Sequence, residues 1–326
     1  MTRLAEVEAH LTTMGELLDI VGAMRSLASM RVQEAHRALP DIRRYAETMA
    51  AAIGAALLLL PEPEPLGRTA TGRRALVLCT AEHGFVGGFN ERILDAAAKL
   101  INPDDVLFVL GIRGAALAQE RGRPAAWAHP MATRPEGVPE TIRHLTAELY
   151  GRIARGDLAR VEVMFARHRQ GSGTAIERSL LFPVDLRSFA PGPPRQPPLH
   201  NLPPAMLLEK LIADYAFGLL TEAAIEALAS ENAARFAAMD SAYENVSKKL
   251  EQLRQGAQQA RQDEITTELL DLVTGAEALL SAELRSPACF PFILYRDLLQ
   301  EASCPSCWGA PLCCRSLNEL MPSTGS

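Results

Sequence analysis

Apolar residues recur every three or four positions along both ends of this chain. Alternating steps of three and four residues from Leu4 to Leu60 meet an apolar side chain at every stop except Arg25. A repeat averaging 3.5 residues keeps one seam of a helix against a partner helix and implies left-handed supercoiling. The same spacing returns near the other end at Phe236, Met239, Tyr243, Val246, Leu250, Leu253, Ala257 and Ala260. The pattern predicts two long helices separated by a compact region.

The N-terminal helix is predicted over residues 1–60, and the prolines of Pro61-Glu-Pro-Glu-Pro65 end it. Pro40 removes a backbone hydrogen bond inside this helix. Because the heptad phase is the same on both sides of Pro40, we expect a kink or short break rather than a true end.

The C-terminal helix is predicted over residues 204–280. Its seam shifts phase between Ala260 and Ile265 and resumes at Leu269, Leu272, Ala276 and Leu279. A local change of winding at this point suggests that the end of the helix packs against something other than the N-terminal helix. The segment 281–326 is rich in proline and cysteine and is predicted to be a poorly ordered tail.

The middle of the chain, residues 70–189, alternates between short apolar runs and helical patterns. The predicted strands are Ala75–Thr80, Val106–Leu110, Val161–Phe165 and Ile176–Val184. The predicted helices are Asn90–Ile101, with Asn90 as its N-cap, residues 113–119 and residues 139–155. Strands alternating with helices are typical of an open, Rossmann-like α/β sheet, and a proline-rich linker over 190–198 closes this region.

Composition excludes several classes of protein. The 326 residues are 48% hydrophobic and 22% charged, which is globular rather than disordered composition. A net charge of −6 argues against a general nucleic-acid binder. The longest apolar run, residues 49–60, is shorter than the ~20 residues of a membrane span. The N-terminus shows no secretory signal pattern.

The candidate chemistry is sparse. Gly84, Gly87, Gly88 and Asn90 form a glycine-rich segment between a strand and a helix, where a phosphate-binding loop would lie. The spacing fits no dinucleotide or P-loop motif, so we interpret it as a structural turn whose glycines permit positive φ. The cysteine spacing in the tail, 304–314, is poor for zinc, and no catalytic constellation is present. We therefore expect no cofactor, metal or catalytic residue.

Three ordered blocks of sequence carry a family resemblance. They are Val21-Gly-Ala-Met-Arg-Ser-Leu-Ala-Ser-Met-Arg31, Gly84-Phe-Val-Gly-Gly-Phe-Asn90 and Ser230-Glu-Asn-Ala-Ala-Arg-Phe-Ala-Ala-Met-Asp240, the last continuing into residues 259–269. Over roughly residues 2–280 the chain resembles the gamma subunit of F-type ATP synthases. The resemblance implies an α/β fold in which the N- and C-terminal helices form a long antiparallel coiled coil beside a central α/β domain.

The resemblance also implies a function and a set of partners. Gamma subunits are the central rotor: the coiled coil penetrates a ring of three alpha and three beta subunits, and the α/β domain lies on the membrane ring of c subunits beside epsilon. Rotation driven by ion flow changes the conformation of the beta catalytic sites, so the subunit itself is non-catalytic. The implied location is peripheral, on the cytoplasmic face of a bacterial inner membrane, with membrane contact only through the c-ring.

Positions that match the family's beta-contacting residues can be named in this sequence. They are Met24 and Arg25 in the N-terminal helix and Arg261, Gln262, Thr266 and Glu268 in the C-terminal helix. Arg25 has a second interpretation, as a long side chain at the edge of the seam. Polar residues at 261–268 would be unusual on a dry seam but suit a surface gripped by partner loops.

Several departures leave alternatives open. Val86 replaces the usual cysteine of the glycine turn, Pro40 and Asp41 replace a usually basic stretch, and the tail has no counterpart in the family. Such divergence fits an alternative bacterial ATPase beside a main one, moving protons or sodium. A nucleotide-dependent enzyme built on the central domain and a self-associating coiled-coil scaffold are the competing hypotheses.

Overall fold

The computed structural model of the chain describes residues 3–60, 72–169, 173–189 and 199–284. The chain divides into two units, residues 1–266 and 267–326. The predicted tail from 285 onward, its cysteines and the proline-rich segments 61–71 and 190–198 lie outside the described residues. The elements below belong to the first unit, except for the part of the last helix beyond Thr266.

Two long helices pair antiparallel in the first unit. Helix α1 spans Arg3–Leu57 and helix α5 spans Pro204–Leu284. Three ion pairs fix their direction, because the α5 partner falls in number as the α1 residue rises: Glu8–Arg261, Arg25–Asp240 and Arg43–Glu222. Every predicted seam position of α1 is buried or half-buried, so the heptad prediction for this helix is confirmed.

A five-stranded sheet forms the centre of the first unit. Its strands are β1 (Arg73–Cys79), β2 (Val106–Leu110), β3 (Trp127–His129), β4 (Leu158–Arg169) and β5 (Gly173–Phe182). They lie in the order β3-β2-β1-β4-β5, with β4–β5 antiparallel and the other pairs parallel. The prediction of an open α/β sheet is confirmed. Strand β3 was not predicted, because three residues at the edge of the sheet show no periodicity.

Helices cover both faces of the sheet, which makes a three-layer α/β domain. The connecting helices are α2 (Phe89–Ala98), α3 (Ile112–Glu120) and α4 (Val138–Ala154), with single 3₁₀ turns at Pro135–Gly137 and Leu186–Ser188. Alternate β1 residues separate the two cores. Val77 packs with α1, α4 and α5, whereas Leu78 packs with α2 and α3. The coiled coil and the sheet thus share one continuous core.

Two irregularities were predicted in the long helices: a kink or short break at Pro40 in α1, and a phase shift of the seam after Ala260 in α5. Helix α1 continues through Pro40, so there is no break at this proline. In α5 the seam continues one more stride, because Glu264 is half-buried four residues after Ala260. Leu269 and Leu272, where the apolar spacing resumes, are 57% and 70% exposed in the single chain, and the packing of this end against a partner stays a prediction. Within the described part of α5, every side chain from 267 to 279 is exposed.

Candidate functional site

The crevice where an α/β sheet usually holds its ligand is filled by the chain itself. The strand order reverses between β1 and β4, and ligands of open α/β sheets bind beyond the carboxyl ends of the strands at such a point. Here Ser230 of α5 donates a buried hydrogen bond, at 2.8 Å, to the carbonyl of Ala166 in the C-terminal part of β4, just beyond the level at which β1 ends. Arg235, one turn further along, donates to the carbonyls of His83 and Gly84 in the loop after β1, at 3.4 and 3.3 Å. Helix α5 therefore closes the crevice.

Arg235 is held in place by a neighbouring carboxylate. Its Nη2 lies 2.6 Å from Oε1 of Glu231, which is 4% exposed. Burial raises the pKa of Glu231, while the charge and hydrogen bond of Arg235, the charge of His83 and the N–H of Glu82 act in the opposite direction. The pair sits under the loop that follows β1 and fixes that loop to α5.

A second carboxylate fills the position where a phosphate would bind. Glu82 Oε2 accepts hydrogen bonds from the N–H of Ile112, in the first turn of α3, at 3.1 Å and from the N–H of Met131 at 2.8 Å. The N-terminus of a helix favours an anion, and here the anion is the chain's own side chain. Glu82 thus links the segments that follow β1, β2 and β3.

The glycine-rich turn differs in detail from its prediction. Of Gly84, Gly87 and Gly88, Gly87 takes a positive φ, of 55°, and the neighbouring Phe85 takes another, of 61°. Asn90 is not the N-cap of α2, because that position is held by Gly88 and no side chain caps it. The buried Asn90 instead accepts a hydrogen bond at 2.9 Å from the N–H of Ala81, through its Oδ1. Its role is to fasten the turn back onto the end of β1.

This turn presents an apolar surface together with α1. An open cavity of about 410 Å³ lies here. It is lined by Met24, Leu27 and Arg31 of α1, by Phe85 of the turn and by Arg235. Phe85 is 67% exposed and Leu27 is 46% exposed. A cluster of large, solvent-exposed apolar side chains commonly marks an interaction surface.

Arg25 has partners inside the coiled coil. Its Nη1 lies 3.0 Å from Oδ1 of Asp240, and its guanidinium lies 4.6 Å from the centre of the Tyr243 ring. The only polar stop of the α1 seam therefore faces a carboxylate and an aromatic ring of α5. An ion pair within the seam ties α1 to α5 in one register.

The predicted residues of α5 lie on a different part of the molecule. Arg261 Nη2 lies 2.9 Å from Oε1 of Glu8 on α1, and Gln262 is exposed. The Thr266 hydroxyl donates to the carbonyl of Gln262 at 2.8 Å, a bond within the helix. Glu268, in the second unit, is exposed.

The predicted contact residues of the first unit form two separate groups. Asp240 and Arg261 are about 30 Å apart along α5 at 1.5 Å per residue, so Met24 and Arg25 are not brought together with the 261–266 group. Sequence reasoning missed Phe85 and Arg235, which line the cavity beside Met24, and it also missed Glu82, which binds the start of α3 instead. The i, i+4 spacing of Glu231 and Arg235 was the one available signal, since it pairs opposite charges on one helix face.

Two further observations bear on other kinds of site. No cluster of three or more metal-ligating side chains occurs within the described residues. None of the described helices is both long and apolar enough to span a membrane.

Comparison with known proteins agrees with the sequence blocks. A family model described as ATP synthase matches residues 3–279. The ATP synthase gamma chain of Parafrankia sp. is 27% identical, covering 86% of this chain and 98% of the relative. That of Frankia casuarinae is 28% identical, with the same coverage. A central stalk and c-ring structure of the Tetrahymena thermophila mitochondrial ATP synthase superposes with a TM-score of 0.50 at 15% identity, covering 68% of this chain and 99% of that one, which supports the fold. The chain therefore belongs to the ATP synthase gamma-chain family.

Proposed function

We propose that this chain is the central-stalk rotor subunit of an F-type ATP synthase. In this role it couples ion-driven rotation of the c-ring to conformational change at the catalytic sites of the beta subunits. The partners are three alpha and three beta subunits, epsilon and the c-ring. The chain itself contributes no catalytic residue, and it lies on the cytoplasmic face of a bacterial membrane, held there through the c-ring.

The observation that carries the proposal is the pairing of the two ends of a single chain. Three interhelical ion pairs, Glu8–Arg261, Arg25–Asp240 and Arg43–Glu222, hold α1 against α5 of the same molecule, and the seam positions of α1 are buried or half-buried. A coiled-coil scaffold would need that seam free for a second copy, so the pairing counts against self-association. A chain that binds its own ends can act as one stiff element within a larger assembly.

The filled crevice counts against the nucleotide-dependent enzyme. A nucleotide at the switch point would have to displace Glu82 from the start of α3 and α5 from the C-terminal part of β4. In the rotor hypothesis the same residues stiffen the domain, and the function depends on the surfaces that bind partner subunits. Binding of partners to a shaft shifts the populations of their states, which needs no catalytic residue in the shaft.

We assign the beta-subunit contacts to two groups of residues. Met24 belongs to the first group, and Arg261, Gln262, Thr266 and Glu268 belong to the second. Arg25 is assigned the role of holding α1 against α5 beside Met24, because its guanidinium forms an ion pair with Asp240. The exposed apolar side chains at 269, 272, 273 and 279 suit a surface that is buried against the ring.

Co-expression with alpha and beta subunits tests the assignment. We expect a complex of three alpha and three beta subunits for each copy of this chain, with ATPase activity that depends on the beta subunits. Recovery of the chain alone or as a self-associated coiled coil, under conditions where alpha and beta subunits assemble with another gamma chain, would refute the proposal.

The contact residues can be tested separately. Gln262→Ala is expected to weaken coupling between ATP hydrolysis and rotation without changing the stability of the isolated chain, because Gln262 is exposed. Arg261→Ala removes both a partner contact and the pair with Glu8, so Glu8→Ala is the matched control that breaks only the pair. If Glu8→Ala impairs coupling as much as Arg261→Ala, position 261 acts through the coiled coil and its assignment as a contact fails. Whether the complex moves protons or sodium is a property of the c-ring.

A further inference from the structure

A basic pocket lies at the amino edge of the sheet, at the opposite ends of the strands from the filled crevice. It has a volume of about 390 Å³ and is lined by Arg73 at the start of β1, Arg123 in the turn after α3 and Arg152 of α4. Three arginines from three separate parts of the fold therefore face one concavity. Asp105, before β2, is the carboxylate among the described residues that line it.

Asp105 is already neutralised from within the protein. Its Oδ2 lies 2.5 Å from Nη2 of Arg74 and 2.6 Å from the N–H of Asn102. Burial alone would raise the pKa of Asp105, but the bonds from Arg74 and Asn102 and the charges of Arg74 and Arg123 outweigh it and lower that pKa. The carboxylate is therefore held ionised by Arg74, which is not one of the lining arginines.

The arginines that line the pocket differ in whether a carboxylate of the protein pairs with them. Arg152 is held by Glu148, with 2.6 Å between Nε and Oε1, and its guanidinium lies 4.9 Å from the centre of the Phe108 ring. Arg73 and Arg123 are exposed, and neither side chain has an ion pair or hydrogen bond to another side chain in the part of the chain that the structure describes. The pocket thus offers two exposed guanidinium groups without a direct side-chain partner among the described residues, beside one that is fixed in position; Arg123 interacts with Asp105 only through its charge.

We propose that this pocket binds a phosphate-type oxyanion through Arg73 and Arg123, with Arg152 as the fixed wall. Guanidinium groups match the geometry of phosphate oxygens and form charge-assisted, bidentate hydrogen bonds with them. The same chemistry is offered by a free phosphate or by the phosphate of a lipid headgroup. This site goes beyond the rotor function, because nothing in that function requires it.

The test is a calorimetric titration of the full-length protein with inorganic phosphate at low salt. We expect saturable binding of one equivalent. Arg73→Gln and Arg123→Gln should each weaken it by at least about tenfold, the loss expected for one charge-assisted contact. Arg113→Gln makes the same change of charge on an exposed arginine at the far end of α3 and should leave binding unchanged.

A second arm separates the two sources of the oxyanion. Sedimentation with vesicles of phosphatidylglycerol and phosphatidylcholine, against phosphatidylcholine alone, reports headgroup binding. Vesicle binding that needs Arg73 and Arg123 and is displaced by phosphate assigns the site to a headgroup, whereas phosphate binding without vesicle binding assigns it to a free ion. The proposal is overturned if phosphate does not saturate the native protein. It is also overturned if Arg113→Gln weakens binding as much as the pocket variants. Circular dichroism confirms that the variants are folded, and Arg123→Lys, which keeps the charge, should retain part of the affinity.

Discussion

Removing Arg43 should destabilise this protein more than removing the carboxylate that Arg43 binds. Arg43 of α1 lies 2.8 Å from Oε1 of Glu222 and 2.5 Å from Oε1 of Glu226, both on α5. Arg167 of β4 reaches Glu226 at 3.4 Å and also pairs with Glu177 of β5 at 3.2 Å. This network joins the coiled coil to the sheet at the centre of the first unit.

The asymmetry follows from burial. The Glu226 side chain is 3% exposed, whereas that of Arg43 is 45% exposed. Arg43→Met keeps the aliphatic stem but leaves a buried carboxylate whose remaining partner, the Nε of Arg167, makes no hydrogen bond to it. Leaving a buried charge without its partner lowers the free energy of unfolding by about 3–5 kcal/mol. We expect about 3 kcal/mol here, because Arg167 still compensates part of the charge of Glu226. Glu226→Gln should cost only about 1 kcal/mol, since Arg43 retains Glu222 and Arg167 retains Glu177.

Urea unfolding followed by circular dichroism measures these costs. The double variant Arg43→Met/Glu226→Gln should be more stable than Arg43→Met alone, with a coupling of about 2 kcal/mol. Arg44→Met is the matched control, because Arg44 pairs with Asp41 at 3.9 Å and both side chains are about four-fifths exposed; its cost should be below about 0.5 kcal/mol. Equal costs for Arg43→Met and Glu226→Gln, or no coupling between them, would refute the reasoning from burial.

Three further predictions concern single positions of the α/β domain. Asp105→Asn should cost about 1–3 kcal/mol at neutral pH. Because the pKa of Asp105 is lowered in the folded state, its contribution is present above the ordinary aspartate pKa and is lost as pH falls through the folded pKa, so acid unfolding curves of variant and native protein should converge. Burial raises the pKa of the Cys79 thiol to about 12, so a thiol reagent at pH 8 should modify at most five of the six cysteines until denaturant is added, and modification of all six in native buffer would contradict this. Gly87→Ala should cost about 1 kcal/mol in thermal or urea unfolding because of its φ of 55°, whereas Gly84→Ala, which lies outside the positive-φ region and has open space for the added methyl group, should be nearly neutral, and equal effects would show that backbone strain is not the cause.

Sequence periodicity was sufficient to predict those elements whose burial repeats along the chain. The seam of α1 and the apolar runs of β1 and β2 have such repeats, and the structure has them as predicted. Strand β3 escaped prediction because Trp127–His129 is short and half-buried, so its place in the sheet depends on pairing with β2 rather than on its own pattern.

Residue roles that depend on distant contacts could not be read from local rules. Asn90 fits the composition of a helix N-cap, but its partner is the N–H of Ala81, nine residues away, so a rule for neighbouring residues assigned it wrongly. Arg25 was recognised as the polar stop of the seam. Its partner Asp240 depends on the register of two helices that are joined through the whole central domain.

The crevice explains how an α/β domain of this topology can belong to a subunit that acts through its surfaces. Its sheet has the strand order and the carboxyl-end loops that hold ligands in other open α/β sheets. In this chain Glu82 occupies the start of α3, Ser230 of α5 binds the C-terminal part of β4, and Arg235 of α5 binds the loop after β1. The groups that would hold a ligand are thereby used to fasten the coiled coil to the sheet. Since the same α5 helix then continues along α1 to Glu8, these bonds connect the sheet directly to the paired helices. Loss of a free ligand site and gain of a stiff connection are thus two consequences of one set of contacts.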